Sequence, residues 1–307
     1  MKKDKEKDLG IVEFLTKKFP TEDSAVKFFE EKRWPDGVNC PYCGNSKVYN
    51  VTGSQPYKCS ACRRRFTEKT GTIMEGSHIP IRTWLLAMYF MGTSRKGISS
   101  LQLAKELQVT QKTAWFMAQR IREAFVSYQK LKKVVEVDET YVGGKEENKH
   151  ASKKLKAGRG VANKIPVIGL RERKGKTIGK VLNSTSRYEI QSLIAQTVSK
   201  KSSVFTDDHP SYNGLNKKGF NHKSVNHSKR EYARDEINTN SIESLWAIFK
   251  RGLYGTYHSV SGKHLQRYVN EFCFRIDENT NVSFLNDTCL RANTGGLKYK
   301  ELIKKML

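Results

Sequence analysis

The sequence is short of acids, long apolar runs and cysteine. Over 307 residues it holds 31 Asp and Glu against 56 Lys and Arg, a formal charge of +25. The basic residues are spread along the whole chain rather than gathered in one tail, which favours a polyanionic partner bound over an extended surface. Acidic lipid and ribosomal RNA share that charge logic with DNA. The longest apolar run, Trp84 to Met91, is far below the roughly 20 residues a bilayer crossing needs. Met1 to Lys7 is charged and no apolar segment follows it, so neither a secretory signal nor a membrane partner is expected, and the reading is cytoplasmic. No internal repeat stands out, and no heptad pattern marks a coiled-coil interface. Of six cysteines, four fall in two Cys-x-x-Cys pairs, which in a reducing compartment points to metal rather than disulfides; Cys273 and Cys289 read as packing residues.

What is present divides the chain into five stretches. Residues 1–37 form a helical segment in which Ala25, Phe28, Phe29 and Lys32 suit a short amphipathic helix, ended by the turn Trp34-Pro35-Asp36-Gly37. Residues 38–70 are rich in Cys, Gly and basic residues. Residues 78–128 are helical, and residues 132–279 change texture to short β-type runs at 134–137, 166–170, 177–182 and 203–206. Helices are expected at 188–198 and 238–250. Three strands, a helix and a further strand make an α/β domain with a mixed sheet. Residues 280–307 form an extension with weak signal.

In the second stretch, Cys40-Pro-Tyr-Cys43 and Cys59-Ser-Ala-Cys62 stand 15 residues apart, the spacing of four thiolates closing one tetrahedral zinc site. Such a zinc is structural, because no coordination position stays open. Arg63 and Arg64 follow at once and suit phosphate contacts. Further on, Ser99-Ser100 can cap a helix carrying Leu101, Ala104 and Leu107. After Gln108-Val109-Thr110 comes a second helix carrying Ala114, Met117, Ala118 and Ile121. As a helix-turn-helix, it would turn Lys112 and Thr113 toward DNA. Arg120 and Arg122 are either part of that surface or a solvated face.

The acids are few enough to follow individually. In Val135-Glu136-Val137-Asp138-Glu139, strand alternation sends Glu136 and Asp138 to one face and the valines to the other. A second strand ends at Asp207-Asp208. Glu243 lies on a helix otherwise carrying Ile242, Leu245, Trp246 and Phe249, with 35 residues between Asp207 and Glu243. Lys250 follows Glu243 by two helical turns, on nearly the same face, and Asn240 precedes it by three residues on that face. Clustered carboxylates repel unless a hard cation or a proton joins them.

The blocks Val-Asp138-Glu-Thr-Tyr141-Val-Gly-Gly144, Phe-Thr-Asp207 and Asn240-Ser-Ile-Glu243-Ser-Leu-Trp246, continuing through Lys250 to Tyr257-His258, resemble those of bacterial insertion-sequence transposases. These carry a zinc ribbon and a ribonuclease H-like DDE catalytic domain. The resemblance spans roughly residues 20–280. It implies a multidomain chain: zinc ribbon, helix-turn-helix region, then a ribonuclease H-like mixed sheet. It further implies that Asp138, Asp207 and Glu243 hold two Mg²⁺ or Mn²⁺ ions, with Lys250 steadying DNA near the reacting phosphate. The implied reaction is metal-dependent cleavage at transposon-end inverted repeats and 3′-OH strand transfer into target DNA, by a homodimer or higher assembly. Glu139 in place of Asp138, and Asp208 in place of Asp207, stay open. So does a sequence-specific regulator whose α/β domain does no chemistry.

From Lys250 on, cations and rings alternate: Arg251, Tyr254, Tyr257, His258 and Arg267 are candidates, with Asn240, for holding phosphate or stacking on unpaired bases. Phe272 and Phe274 read as core.

Overall fold

The computed structural model describes residues 8–126, 129–144, 150, 164–225, 238–278, 280–293, 295, 298, 300 and 301. Two compact units emerge, one reaching up to Val126 and resuming at Glu278, the other running from Ser127 to Asp277.

The first unit begins with a helical turn, α1 (Ile11–Glu13), and the helix α2 (Glu22–Arg33). A reciprocal capping box between Thr21 and Ser24 satisfies the first amides of α2, and Glu22 and Asp23 favour its positive end. After it, the Gly37 amide donates to the Trp34 carbonyl at 3.1 Å, closing the turn that Pro35 and Gly37 announce. Strands β1 (Val48–Asn50), β2 (Tyr57–Cys59) and β3 (Arg65–Phe66) pair antiparallel in a three-stranded sheet. Trp34, Tyr57 and Phe66 pack edge-to-face and stacked beside it, a small core that Cys40, Cys59 and Cys62 complete.

Helices α3 (Ile81–Thr93), α4 (Ser100–Leu107) and α5 (Gln111–Glu123) follow. Ser99 and Thr110 cap α4 and α5, and Gln108 takes the left-handed conformation that ends α4. The inward side of α4 is Leu103, Ala104 and Leu107. Leu101, expected on the apolar stripe, is exposed: at about 100° per residue the buried side is centred between Leu103, Ala104 and Leu107, and Leu101 falls more than a quarter-turn off it. On α5 the expected Ala114, Met117, Ala118 and Ile121 are buried.

The second unit is built on five strands: β4 (Val134–Val142), β5 (Ile165–Glu172), β6 (Thr177–Val181), β7 (Ser203–Thr206) and β8 (Asn221–Ser224). Their spatial order is β6-β5-β4-β7-β8, with β4, β5 and β6 antiparallel and β7 and β8 parallel to β4. Three consecutive antiparallel strands with two parallel ones added beside the first make the ribonuclease H-like sheet. Helix α6 (Arg187–Thr197) carries the crossover from β6 to β7 and covers one face, packing Ile190 and Ile194 on Val135, Val137, Ile168 and Leu170. Helices α7 (Asn240–Gly252) and α8 (Gly262–Asp277) cover the other with Ile242, Trp246, Phe249, Leu265, Val269 and Phe272.

Two strand glycines set how closely those helices approach. A Cβ on Gly169 would lie 2.6 Å from Trp246 and 2.7 Å from Ile242, and one on Gly179 would lie 2.3 Å from Val269. The outer edge of β6 is closed by side chains of α8. Gln266 accepts from the Val181 amide and donates to the Gly179 carbonyl, and Asp277 accepts from the Thr177 amide.

The extension beyond residue 279, left without structure by the sequence pattern, forms α9 (Asn281–Leu290) and belongs to the first unit. Thr280 and Ser283 make its capping box. Phe284 packs on Phe125, Cys289 lies against Met88, and the Ile73 amide donates to the Ala292 carbonyl. Cys273 and Cys289 are both buried packing residues.

Candidate active site and metal centres

The zinc ribbon is the simpler of the two centres. Ligand atoms of Cys40, Cys43, Cys59 and Cys62 all lie within 4.8 Å of one another. The Cys40 to Cys62 and Cys43 to Cys59 sulfur separations are 3.6 Å. That is far too long for a disulfide and close to the edge, about 3.8 Å, of a tetrahedron with metal–sulfur bonds of about 2.3 Å. Backbone amides of Cys62 and Ala61 donate to Cys59 and pull its thiol down to about 6, so a thiolate is ready at neutral pH. The four residues fit a structural zinc. Arg63 and Arg64 beside it are exposed, Arg63 in a left-handed turn and Arg64 stacked over Tyr42.

In the second unit, β4 brings Asp138 and Glu139 to the place where β7 ends. Glu136 pairs with Phe205 in the parallel ladder, so two residues on, Asp207 comes level with Asp138. Carboxylate oxygens of Asp138, Glu139 and Asp207 lie within 4.8 Å of one another. Burial pushes Asp138 up to about 7, with the charges of Glu139, Asp207 and Glu243 adding to it. Burial likewise lifts Glu139 to about 7, and Asp207 contributes. Glu139 Oε1 is buried without a hydrogen-bond partner. Three mutually repelling acids, one with an unused buried acceptor, fit a divalent cation, which would supply the missing positive charge. The Asp207 Oδ1 accepts the His209 amide at 3.1 Å, holding the turn that follows β7.

Glu243 stands outside this tight group, though close enough to raise Asp138. It is exposed and accepts from the Thr239 hydroxyl at 2.7 Å. Its helix is anchored to the same strand by Glu136, a residue whose part was not legible from spacing. Glu136 is buried, pairs with Arg173 at 2.7 Å, and accepts the amides of Ser241 and Ile242 at the start of α7. A second missed residue is Tyr212, whose buried hydroxyl faces the Glu139 carboxylate without closing a hydrogen bond of normal geometry. Its burial and the Glu139 charge hold the phenol protonated far above its usual range.

Along α7 the exposed residues Asn240, Glu243, Ala247 and Lys250 form one stripe that the exposed Tyr254 continues in the turn after the helix, and Arg251 is exposed beside it. Lys250, Tyr254 and His258 line a cavity of about 730 Å³ with Tyr141, Gly144 and Lys164. Tyr141 and Gly144 follow Asp138 in its sequence block, where spacing alone gives them no role.

Three expected DNA contacts are placed differently. Tyr257 packs edge-on against Tyr268 and Phe272 and gives its hydroxyl to buried Glu271. Arg267 is partly buried and its guanidinium lies 3.1 Å from His264 Nδ1. Arg120 is buried, donates to the Glu75 carbonyl at 2.9 Å and stacks on Phe116. Arg122 is buried too, so neither arginine is a solvated face. Each has a long apolar stem that a helix can bury, which charge counting overlooks. Lys112 is exposed and Thr113 partly so, at the start of α5.

Fold and site together define a ribonuclease H-like domain with an acidic, cation-ready centre, preceded by a zinc ribbon. Residues 130–277 match the ISXO2-like transposase domain, and residues 20–65 match the transposase zinc-ribbon domain. A relative in Halobacterium salinarum, described as an uncharacterized protein in transposable element ISH50, is 31% identical over 274 residues, covering 84% of this chain and 92% of the relative. The chain belongs to the family of transposases with the ISXO2-like domain. Among solved structures it is similar to the pre-cleavage Mos1 transpososome (10% identity, 65% of this chain and 75% of that chain, TM-score 0.24). It is also similar to the Mos1 strand transfer complex (11% identity, 70% and 79%, TM-score 0.25). No helix among the described residues is long and apolar enough to cross a membrane.

Proposed function

We propose that the second unit cuts DNA at the ends of its own element and joins the freed 3′-OH to target DNA. The observation that carries this reading is the convergence of Asp138 and Glu139, in the middle of β4, with Asp207, just past the end of β7, and with Glu243 presented by a helix tied to β4. Asp138 and Asp207 would hold Mg²⁺ or Mn²⁺, with Glu139 as an adjoining acid and Glu243 completing the set from α7. Bound there, a pair of such ions supplies activation of the attacking oxygen and charge stabilisation of the leaving one. Lys250, two turns from Glu243, steadies a phosphate as a point charge, and Asn240 offers an amide on the same stripe. Arg251 extends the cationic track and His258 adds a ring nitrogen, while Arg63, Arg64, Lys112 and Thr113 bind end DNA from the first unit. Joining two ends requires at least two copies of the chain.

The test uses DNA flanking the reading frame, where inverted repeats supply the substrate. Mg²⁺-dependent nicking and a joined product are expected, with Asp138→Asn or Asp207→Asn lowering the rate at least 100-fold while end binding persists. Undiminished cleavage by Asp138→Ala would sink the reading. Tight binding with no cleavage by the parent protein would favour a regulator instead.

A further inference from the structure

We infer that the cavity beside Lys250 receives a single unpaired nucleotide of the DNA end, its base against Tyr254 and its phosphate among Lys164, Lys250 and His258. The inference rests on reading this unit as a DNA-processing centre and names what one of its subsites takes.

Size comes first. At about 730 Å³ the cavity has the dimensions of a small-molecule site and is much too small for a duplex, so only a nucleotide lifted out of its helix can enter. Its lining comes next. Among the described residues, three basic side chains and no acid line it, together with two tyrosines, Gly143 and Gly144. Cations select a phosphate, and a ring gives any base a stacking face. A plain phosphate track along a duplex would need the cations but not a tyrosine ring at the cavity mouth. Tyr254 is 51% exposed although large and aromatic, as a platform awaiting a partner would be.

The backbone of the wall gives an independent sign. Immediately after α7 the chain makes a π-helical turn, Leu253–Tyr257, which carries Tyr254 to the cavity. His258 then takes a φ of +58°, uncommon for a residue with a side chain. Irregular turns and unfavourable dihedrals of this kind persist where surrounding structure and function require them. Here both fall within six residues, on the wall of one cavity. The position also suits a DNA end: Lys250 lies two turns, roughly 10.5 Å, along α7 from Glu243, and Tyr141 lies three residues beyond Asp138 on the same strand.

The experiment uses the full chain with Asp138→Asn, so that nothing is cut, and a single-stranded trinucleotide with central 2-aminopurine as probe. Stacking is expected to quench its fluorescence. Tyr254→Ala should weaken binding about tenfold and remove most of the quenching, Tyr254→Phe should restore both, and Lys164→Ala should weaken binding while leaving the quenching at saturation. Circular dichroism shows whether each variant is folded; the phenylalanine variant keeps the ring and serves if the alanine variant is not. Equal quenching by Tyr254→Ala would overturn the proposal. So would an abasic trinucleotide that binds as tightly, since the pocket would then hold phosphate alone. Failure of the cleavage reading is seen separately, in acid variants that still cut.

Discussion

The Glu136 carboxylate accepts the Ser241 backbone amide at 2.9 Å and the Ser241 hydroxyl at 2.6 Å, fastening the start of α7 to the strand that bears Asp138. An anion at a helix N-terminus satisfies free amides and complements the helix dipole, and Arg173 balances its charge on the other side. The strand that carries one acid thereby sets the position of the helix that carries another.

Removing that charge should loosen the helix before it touches the chemistry. Glu136→Gln is expected to lower the stability of the second unit by about 2 to 4 kcal/mol, because Arg173 and two amides lose a buried charged partner. Arg173→Ala should cost less, since Arg173 is partly exposed. The double variant should lose less than the two single losses added, because both remove one shared interaction. Urea unfolding measures all three. Stability within about 0.5 kcal/mol of the parent for Glu136→Gln would show that α7 is held by its apolar face alone.

Gly169 should tolerate no side chain. Gly169→Ala drives a methyl into the Trp246 ring and the end of Ile242, both side chains of α7, and making room for it is expected to move α7 away from β5. A loss of about 1 to 3 kcal/mol is expected, together with a drop in Mg²⁺-dependent cleavage, because Glu243 moves with the helix. Unchanged cleavage kinetics in a destabilised variant would mean that Glu243 is not needed where it stands.

Much of this was legible in the sequence because the signals are local. The two Cys-x-x-Cys pairs, the Trp34 to Gly37 turn, the cap at Ser99 and the alternating strands need only near neighbours to be read. Adjacent acids were legible as candidates, yet spacing could not choose between Asp138 and Glu139, because β7 stops beside them and carboxylates of both reach Asp207 there. Glu136 looked equivalent to Asp138, on the same face; only tertiary pairing separates a helix anchor from a metal-facing acid. Arg120 and Tyr257 were read as surface because their polar tips dominate a sequence reading, while their stems and rings are what the fold uses. Strand β8, with Asn, His, Lys and Ser, carries no alternation at all, being exposed or half-exposed throughout and held by its ladder to β7.

The two acids at about 7 set a pH dependence whose sign can be worked out. Asp138 and Glu139 hold protons in the folded protein at pH values where the unfolded chain has already released them. Metal-free stability contributed by this site therefore falls as pH rises from about 4 to about 7, and changes little above. A divalent cation reverses the balance by favouring the ionised acids. Amide hydrogen exchange along β4 in EDTA should speed up between pH 5 and 8 by more than the intrinsic pH effect on exchange. Stabilisation by Mn²⁺ should grow over the same range. Protein with Asp138→Asn and Glu139→Gln together should show neither trend; if it keeps both, the titrating groups lie elsewhere.

The first unit offers a contrast between two cations on one helix. Arg120 is enclosed, bonded to the Glu75 carbonyl and stacked on Phe116, whereas Lys112 stands exposed at the start of α5. A cation that neutralises a phosphate releases counterions and steepens the salt dependence of DNA binding; one that holds two protein segments together does not. Lys112→Ala is accordingly expected to reduce the slope of log K against log salt by about 0.9 and to leave stability within about 0.5 kcal/mol of the parent. Arg120→Ala should do the reverse, lowering the unfolding midpoint of the first unit while the slope stays unchanged at temperatures where the variant is folded. Measured side by side, a reduced slope for Arg120→Ala would place its guanidinium on DNA and refute the structural role. An unchanged slope for Lys112→Ala would remove the start of α5 from the DNA surface and leave the exposed Arg63 and Arg64 of the ribbon as the first unit's phosphate contacts.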